Sequence, residues 1–205
     1  MNIVIVANGQ GFSNTIFTQK VKEADCIIAA DGGIYNCISN GVFPNYVIGD
    51  IDSFENIMDL VTQKTKVIHI DDQDTTDMQK ALSFSKSLNP DSVDIFCSFG
   101  KRTDHSLGNI FILNNYDGMT IYMYDENGMF RMLKPGIHYF KNKVGITVSL
   151  FCIDRVKNIE LNGFKYPLKQ PTIGPAFFGV SNEISDKNAY VKFSEGRLMV
   201  YEFFD

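Results

Sequence analysis

Over its first 125 residues the chain alternates between short, almost unbroken apolar runs and stretches of helical periodicity, and this alternation restricts the fold more than any other feature. The runs at 2–7, 26–30, 45–48, 66–70, 93–97 and 120–124 are rich in Val and Ile. Continuous apolar character suits strands covered on both faces, as in a parallel sheet. Helices are expected between them over 15–24, 34–40, 54–63, 77–88 and 106–116. The fourth has the clearest start, because Thr76 and Gln79 stand at capping-box spacing and Met78, Ala81, Leu82 and Ser85 follow at helical intervals. After Glu126 the texture changes to alternating runs at 137–140, 146–151, 189–193 and 198–203. They are punctuated by Gly145, Asn162-Gly163, Gly174-Pro175 and Glu195-Gly196, and the last pair predicts a hairpin. The expected class is α/β: an N-terminal parallel-sheet domain over 1–125, then a C-terminal all-β, sandwich-like domain over 126–205.

Charge divides the chain at the same place. Residues 1–125 carry sixteen acidic against eight basic side chains, and residues 126–205 carry eight against eleven. An acidic first half argues against nucleic acid as a partner, since neutralising a phosphate backbone takes clustered Lys and Arg. The excess is concentrated between Asp50 and Asp77, where eight acids face only Lys64 and Lys66. Such a density calls for water or cations. No apolar run approaches the ~20 residues that cross a bilayer. The N-terminus lacks the basic lead and cleavage site of a signal peptide, so a cytoplasmic chain with no membrane partner is expected. Cys26, Cys37, Cys97 and Cys152 are scattered without a Cys-x-x-Cys pair and read as buried small hydrophobes rather than disulfide or zinc ligands.

In an open parallel sheet, ligands bind at the carboxyl ends of the strands. Four polar clusters follow the expected strands: Asp31-Gly32-Gly33, Gly49-Asp50-Ile51-Asp52-Ser53, the run Asp71 to Asp77, and Gly100-Lys101-Arg102-Thr103-Asp104-His105. All four fall on one edge of the sheet. Magnesium takes hard oxygen ligands, often a few carboxylates with substrate phosphates. Asp50-x-Asp52, joined by Asp74 or Asp77, fits that chemistry. A lone Asp-rich turn is more often a cap or an Asx turn, but four converging loops favour the cation site. Gly32 and Gly33 read either as a close backbone approach to phosphate or as an ordinary turn. Asn8-Gly9-Gln10-Gly11 lacks both the dinucleotide fingerprint and a Walker ending. Arg102 offers a fork for phosphate oxygens or a salt bridge to Asp104. His105 suits phosphate contact, proton transfer or a helix start. His69 and His138 read as structural.

Taken in order, these four motifs resemble those of the thiamine pyrophosphokinase family. Gly163-Phe164-Lys165-Tyr166-Pro167-Leu168 and Gly179-Val180-Ser181-Asn182-Glu183 extend the likeness over nearly the whole chain. The resemblance implies an ATP-binding catalytic domain, a thiamine-binding β-domain and a homodimer with interfacial active sites. It implies Mg2+ on Asp50, Asp52 and Asp77, with Asp74 assisting. Asp31, Gly32, Gly33, Arg102, Asp104 and His105 would line the ATP and catalytic region, and Gln73, Ser181 and Asn182 would contact thiamine. With no tryptophan in the chain, an aromatic wall against thiamine falls to residues such as Tyr166, Phe177 or Phe178. Lys101 departs from the family, which usually has a small residue there. The implied reaction moves the diphosphate of ATP onto the thiamine hydroxyl. Two rivals are a phosphohydrolase with Asp50 as nucleophile and a non-catalytic nucleotide sensor.

Overall fold

The computed structural model describes residues 1–11, 14–50, 60–116, 118–175 and 178–204, which fall into two compact units, Met1–Glu126 and Asn127–Asp205. In the first unit the apolar runs form β1 (Asn2–Val6), β2 (Cys26–Ala30), β3 (Tyr46–Gly49), β4 (Lys66–His69), β5 (Ser92–Phe96) and β6 (Ile121–Tyr124). They pair side by side, all parallel, in the order β4-β3-β2-β1-β5-β6. Ile3, Ile5, Ile28, Ile48 and Ile95 are fully buried, which is why the inner runs are almost wholly apolar, whereas the edge strand β4 exposes Lys66 and His69. Asp94 is an exception in β5: it is buried but satisfied, by the Tyr124 hydroxyl at 2.8 Å and the Lys20 ammonium at 3.2 Å.

The connections run outward from β1 in both directions. The reversal between β1 and β5 opens a crevice at their carboxyl ends. Among the described residues the helices of this unit are α1 (Thr15–Glu23), α2 (Gly33–Ser39), α3 (Asp77–Ser87) and α4 (Thr103–Ile112). The capping box of α3 forms in both directions: Gln79 N–H donates to Thr76 Oγ1 at 3.3 Å, and Thr76 N–H donates to Gln79 Oε1 at 2.9 Å. The expected helix over 54–63 falls largely on residues outside the described set. Helix α4 begins three residues earlier than expected, because extended Arg102 accepts from the Ser106 N–H at 3.1 Å, and Asp104 and His105 therefore lie in its first turn. It ends earlier too, tightening into a 3-10 turn over Leu113–Asn115.

The second unit contains two antiparallel sheets. One has the order β12-β9-β14-β7, from β7 (Gly128–Leu133), β9 (Thr147–Cys152), β12 (Phe178–Glu183) and β14 (Leu198–Phe203). The other has the order β11-β10-β13-β8, from β8 (Gly136–Tyr139), β10 (Val156–Asn162), β11 (Leu168–Ile173) and β13 (Tyr190–Phe193). One hydrophobic cluster draws Leu133, Val148, Leu150, Leu198 and Val200 from the first and Ile159, Leu161, Val191 and Phe193 from the second. Strands β7, β10, β11 and β12 add to the four runs named from periodicity. In β10 a left-handed Asn158 breaks the alternation, and in β11 Pro171 is tolerated because the strand is an edge.

The Glu195-Gly196 turn does not close a hairpin. Strand β13 pairs with β8 and β10, whereas β14 pairs with β7 and β9, so the turn carries the chain from one sheet to the other. Both runs alternate because both contribute apolar side chains to the same cluster from opposite sheets. Periodicity reports burial, not pairing partners. No helix among the described residues is long and apolar enough to cross a membrane.

Candidate active site

The crevice predicted from strand order is a cleft of about 400 Å³ in the first unit, with walls from the loops after β1, β2, β3, β4 and β5. Two main-chain bonds hold the first loop against the last: Gly9 N–H donates to Cys97 O, and Gln10 N–H donates to Phe99 O, both at 2.7 Å. Asn36 on α2 adds side-chain donations to Ala7 O at 2.8 Å and Gly9 O at 3.1 Å. Asp31, Asp50, Gln73, Asp77, Arg102 and His105, all singled out by sequence, line this cleft.

Other expected residues stand elsewhere. Gly32 and Gly33 are not in the wall. A Cβ on Gly33 would fall 2.0 Å from Val6 O, and one on Gly32 would fall 2.3 Å from Asn8 Nδ2, so close packing at the start of α2 explains both glycines. Asp74 is exposed and outside the wall, while its backbone N–H donates to Asp72 Oδ1 at 2.9 Å. Asp72, which lines the cleft in its stead, also accepts from Thr75 Oγ1 at 2.5 Å and so ties the turn that precedes α3. Asp52 lies outside the described residues. Asp104 is not among the lining residues but is held to one that is: Arg102 Nε reaches its Oδ1 at 3.1 Å and Nη2 its Oδ2 at 2.5 Å. This fork keeps the exposed Asp104 carboxyl down at about 2.

Sequence reasoning overlooked Lys80. Its ammonium is buried, 3.6 Å from Asp77 Oδ1 and 4.0 Å from Asp50 Oδ2. The signal was present as Asp77-x-x-Lys80, one turn of an expected helix. Burial, followed by the Asp31 carboxylate, raises the Asp77 carboxyl above its ordinary value, and Asp50 adds to this while Lys80 pulls it down. Asp77 Oδ1 and Ser98 Oγ are buried without a hydrogen-bond partner, and both residues line the cleft. A buried polar atom without a hydrogen bond is costly, so Ser98 Oγ, and Asp77 Oδ1 with only the Lys80 ammonium at 3.6 Å, can each take a ligand. Carboxylate oxygens from separate loops with one orphaned atom suit a hard cation, although the described residues alone form no cluster of three or more metal-ligating side chains.

In the second unit the two C-terminal motifs come together. Asn182, only 6% exposed, accepts from Tyr166 N–H at 3.0 Å and Glu183 N–H at 2.9 Å, and donates to Tyr166 O at 2.8 Å. Its amide thus clamps the 163–167 turn, from which Tyr166 projects into solvent. Next to it, the β12–β9 register shifts between Gly179 and Asn182. Ser181 sits there at φ +56° with its N–H on the buried Ser149 Oγ at 3.0 Å. This bulge leaves the Ser181 side chain exposed. Phe177 and the Phe178 side chain lie outside what is described.

A parallel sheet with a cleft of carboxylates and cations at its switch point defines an α/β protein with a small-molecule site. The family models for the thiamin pyrophosphokinase catalytic domain and for its vitamin B1 binding domain match residues 17–123 and 136–198. A thiamine pyrophosphokinase of Bacillus subtilis is 30% identical over 97% of this chain and 96% of its own length. The crystal structure of thiamine pyrophosphokinase from that organism superposes with a TM-score of 0.88 at 27% identity, covering 100% of both chains. That of thiamin pyrophosphokinase from Geobacillus thermodenitrificans gives 0.85 at 27% identity, covering 100% of this chain and 98% of the other. The chain belongs to the thiamin pyrophosphokinase family and is a diphosphotransferase.

Proposed function

We propose that the protein transfers the terminal diphosphate of ATP to the hydroxyl of thiamine, giving thiamine diphosphate and AMP. The observation that carries this reading is the convergence of Asp31, Asp50, Asp77, Lys80 and Arg102 on one cleft, in a chain of this family. The thiamine oxygen bonds to the β-phosphorus, the bond from that phosphorus to the α-bridging oxygen breaks, AMP leaves, and the hydroxyl proton is released. Such chemistry asks a protein chiefly for alignment and for stabilisation of charge on phosphate oxygens. Arg102 and His105 contact phosphate from the start of α4, and Asp104 holds the guanidinium plane. Lys80 offsets the repulsion between the Asp50 and Asp77 carboxylates and fixes their direction.

Magnesium is the ion this donor set suits, and it would neutralise polyphosphate charge. Asp50 and Asp77 would hold it, with Asp52 as a further ligand, while Asp74, outside the cleft wall, would act only through the turn it shares with Asp72. Gln73 and Ser181 contact thiamine, with Asn182 serving chiefly through the turn it clamps. In this reading 1–125 is the ATP-binding domain, and 126–205 is a thiamine-binding β-sandwich in a cytoplasmic protein. A homodimer is part of the proposal: Leu107 and Phe111, one turn apart on α4 and 53% and 54% exposed, offer apolar area to a second copy.

The direct test supplies the full chain with ATP, Mg2+ and thiamine and measures AMP and thiamine diphosphate. Asp50→Asn and Asp77→Asn are expected to lower turnover by about a hundredfold or more with the fold intact. Failure of the unaltered protein to form either product across pH and divalent metals ends this proposal.

A further inference from the structure

Three strong cations line the cleft, and their partners differ. Lys80 is engaged by the Asp50 and Asp77 carboxylates, and Arg102 by Asp104. Lys101 Nζ instead meets a neutral atom, Asn8 Oδ1, at 3.0 Å, and no carboxylate among the described residues lies within salt-bridge distance of it. This contact joins the loop after β5 to the loop after β1, across the crevice where the strand order reverses. The backbone at Lys101 is also unusual. It has φ +38° directly after Gly100 at φ +81°, a left-handed conformation that an L side chain adopts at a cost. Position 100 takes glycine because a Cβ there would meet Gln10 Cβ at 2.5 Å. A strained non-glycine residue that directs a positive charge over a cleft, with only an amide to hold it, is poised for an anion.

We propose that Lys101 is a polyphosphate-binding residue that exchanges Asn8 Oδ1 for an oxygen of the ATP polyphosphate. The inference rests on the phosphate-handling reading of the cleft, and it adds a contact distinct from the Arg102 fork. An ammonium on a flexible stem suits a point contact with phosphate, and the Asn8 amide gives it up at the small expense of a neutral hydrogen bond.

The test measures calorimetric binding of inorganic tripolyphosphate with Mg2+ to the full chain, at low and high salt, for the unaltered protein, Lys101→Met and Lys101→Arg. Steady-state ATP and thiamine KM values are measured beside it. Lys101→Met keeps the stem length and removes the charge. It is expected to weaken tripolyphosphate binding about tenfold, raise the ATP KM by a similar factor and leave the thiamine KM within about twofold. Lys101→Arg should stay within about threefold of the unaltered protein, and Lys101→Met should show a shallower salt dependence. Unchanged tripolyphosphate affinity in Lys101→Met, or no tripolyphosphate binding by the unaltered protein, overturns the assignment. Turnover of thiamine with normal kinetics in Lys101→Met removes Lys101 alone. Absence of AMP formation alongside a weakened Lys101→Met removes the thiamine reaction and leaves Lys101 as a polyphosphate contact.

Discussion

The Lys80 ammonium lies 3.6 Å from Asp77 Oδ1, one helical turn earlier in α3, and is shut away from solvent beside it. The acid-rich wall of the cleft therefore carries its own fixed counter-charge. Removing one partner of a buried pair strands the other, although here the two aspartates keep partial access to water, which moderates the loss. Lys80→Met is expected to lose about 2–3 kcal/mol of stability in urea unfolding with an unchanged m-value. A loss below about 0.5 kcal/mol would show that water already solvates the aspartates well enough without the ammonium.

The turn that presents Asp77 is closed by the Thr76–Gln79 capping box. Thr76→Ala leaves the Gln79 N–H without its acceptor and should lower stability by about 1 kcal/mol. Hydrogen exchange is expected to quicken at the first turn of α3 and not in β5. Uniform quickening over the unit would instead mean that the cap matters only through global stability.

In the second unit Asn182 makes three bonds to main-chain groups of Tyr166 and Glu183. Asn182→Ala is expected to lose about 1–2 kcal/mol, since two part-buried N–H groups are left without acceptors. Thermal unfolding reads this directly, and an unchanged midpoint would contradict the clamp.

The cysteines supply a pH prediction. Burial pushes the Cys26 thiol up to about 11 and the Cys37 thiol up to about 12, whereas an unfolded thiol ionises near about 8.5. The folded chain thus holds these protons more tightly than the unfolded chain. Stability is undiminished by them below pH about 8.5 and falls as pH rises towards about 12. All four cysteines are buried and free, so at pH 8 a disulfide reagent should label none of them quickly and all four in denaturant. Rapid labelling of Cys37 in the native protein would refute its burial.

The βαβ order, the six parallel strands and the α3 cap were legible because each is written in local periodicity or in residues three apart. The same reading brought Asp31, Asp50, Asp77, Arg102 and His105 to one edge of the sheet, since topology alone puts strand-end loops together. Lys80 escaped notice because a lysine on an expected helix reads as solvated. Only the third dimension turns it inward. The family resemblance assigns Asn182 to thiamine, and nothing in the local sequence tells that its amide also bonds the main chain of Tyr166, sixteen residues away.

The chain by itself determined which segments become strands and helices, the polarity of the loops after them, and the charge of the cleft, all consequences of short-range sterics and side-chain chemistry. Tertiary structure decided the rest. It sent the two runs flanking Glu195-Gly196 to different sheets, reassigned Gly32 and Gly33 to close packing, and left Lys101 facing an amide across the crevice. Those outcomes depend on which surfaces meet across long sequence separations, and neither periodicity nor spacing encodes the partner on the other side.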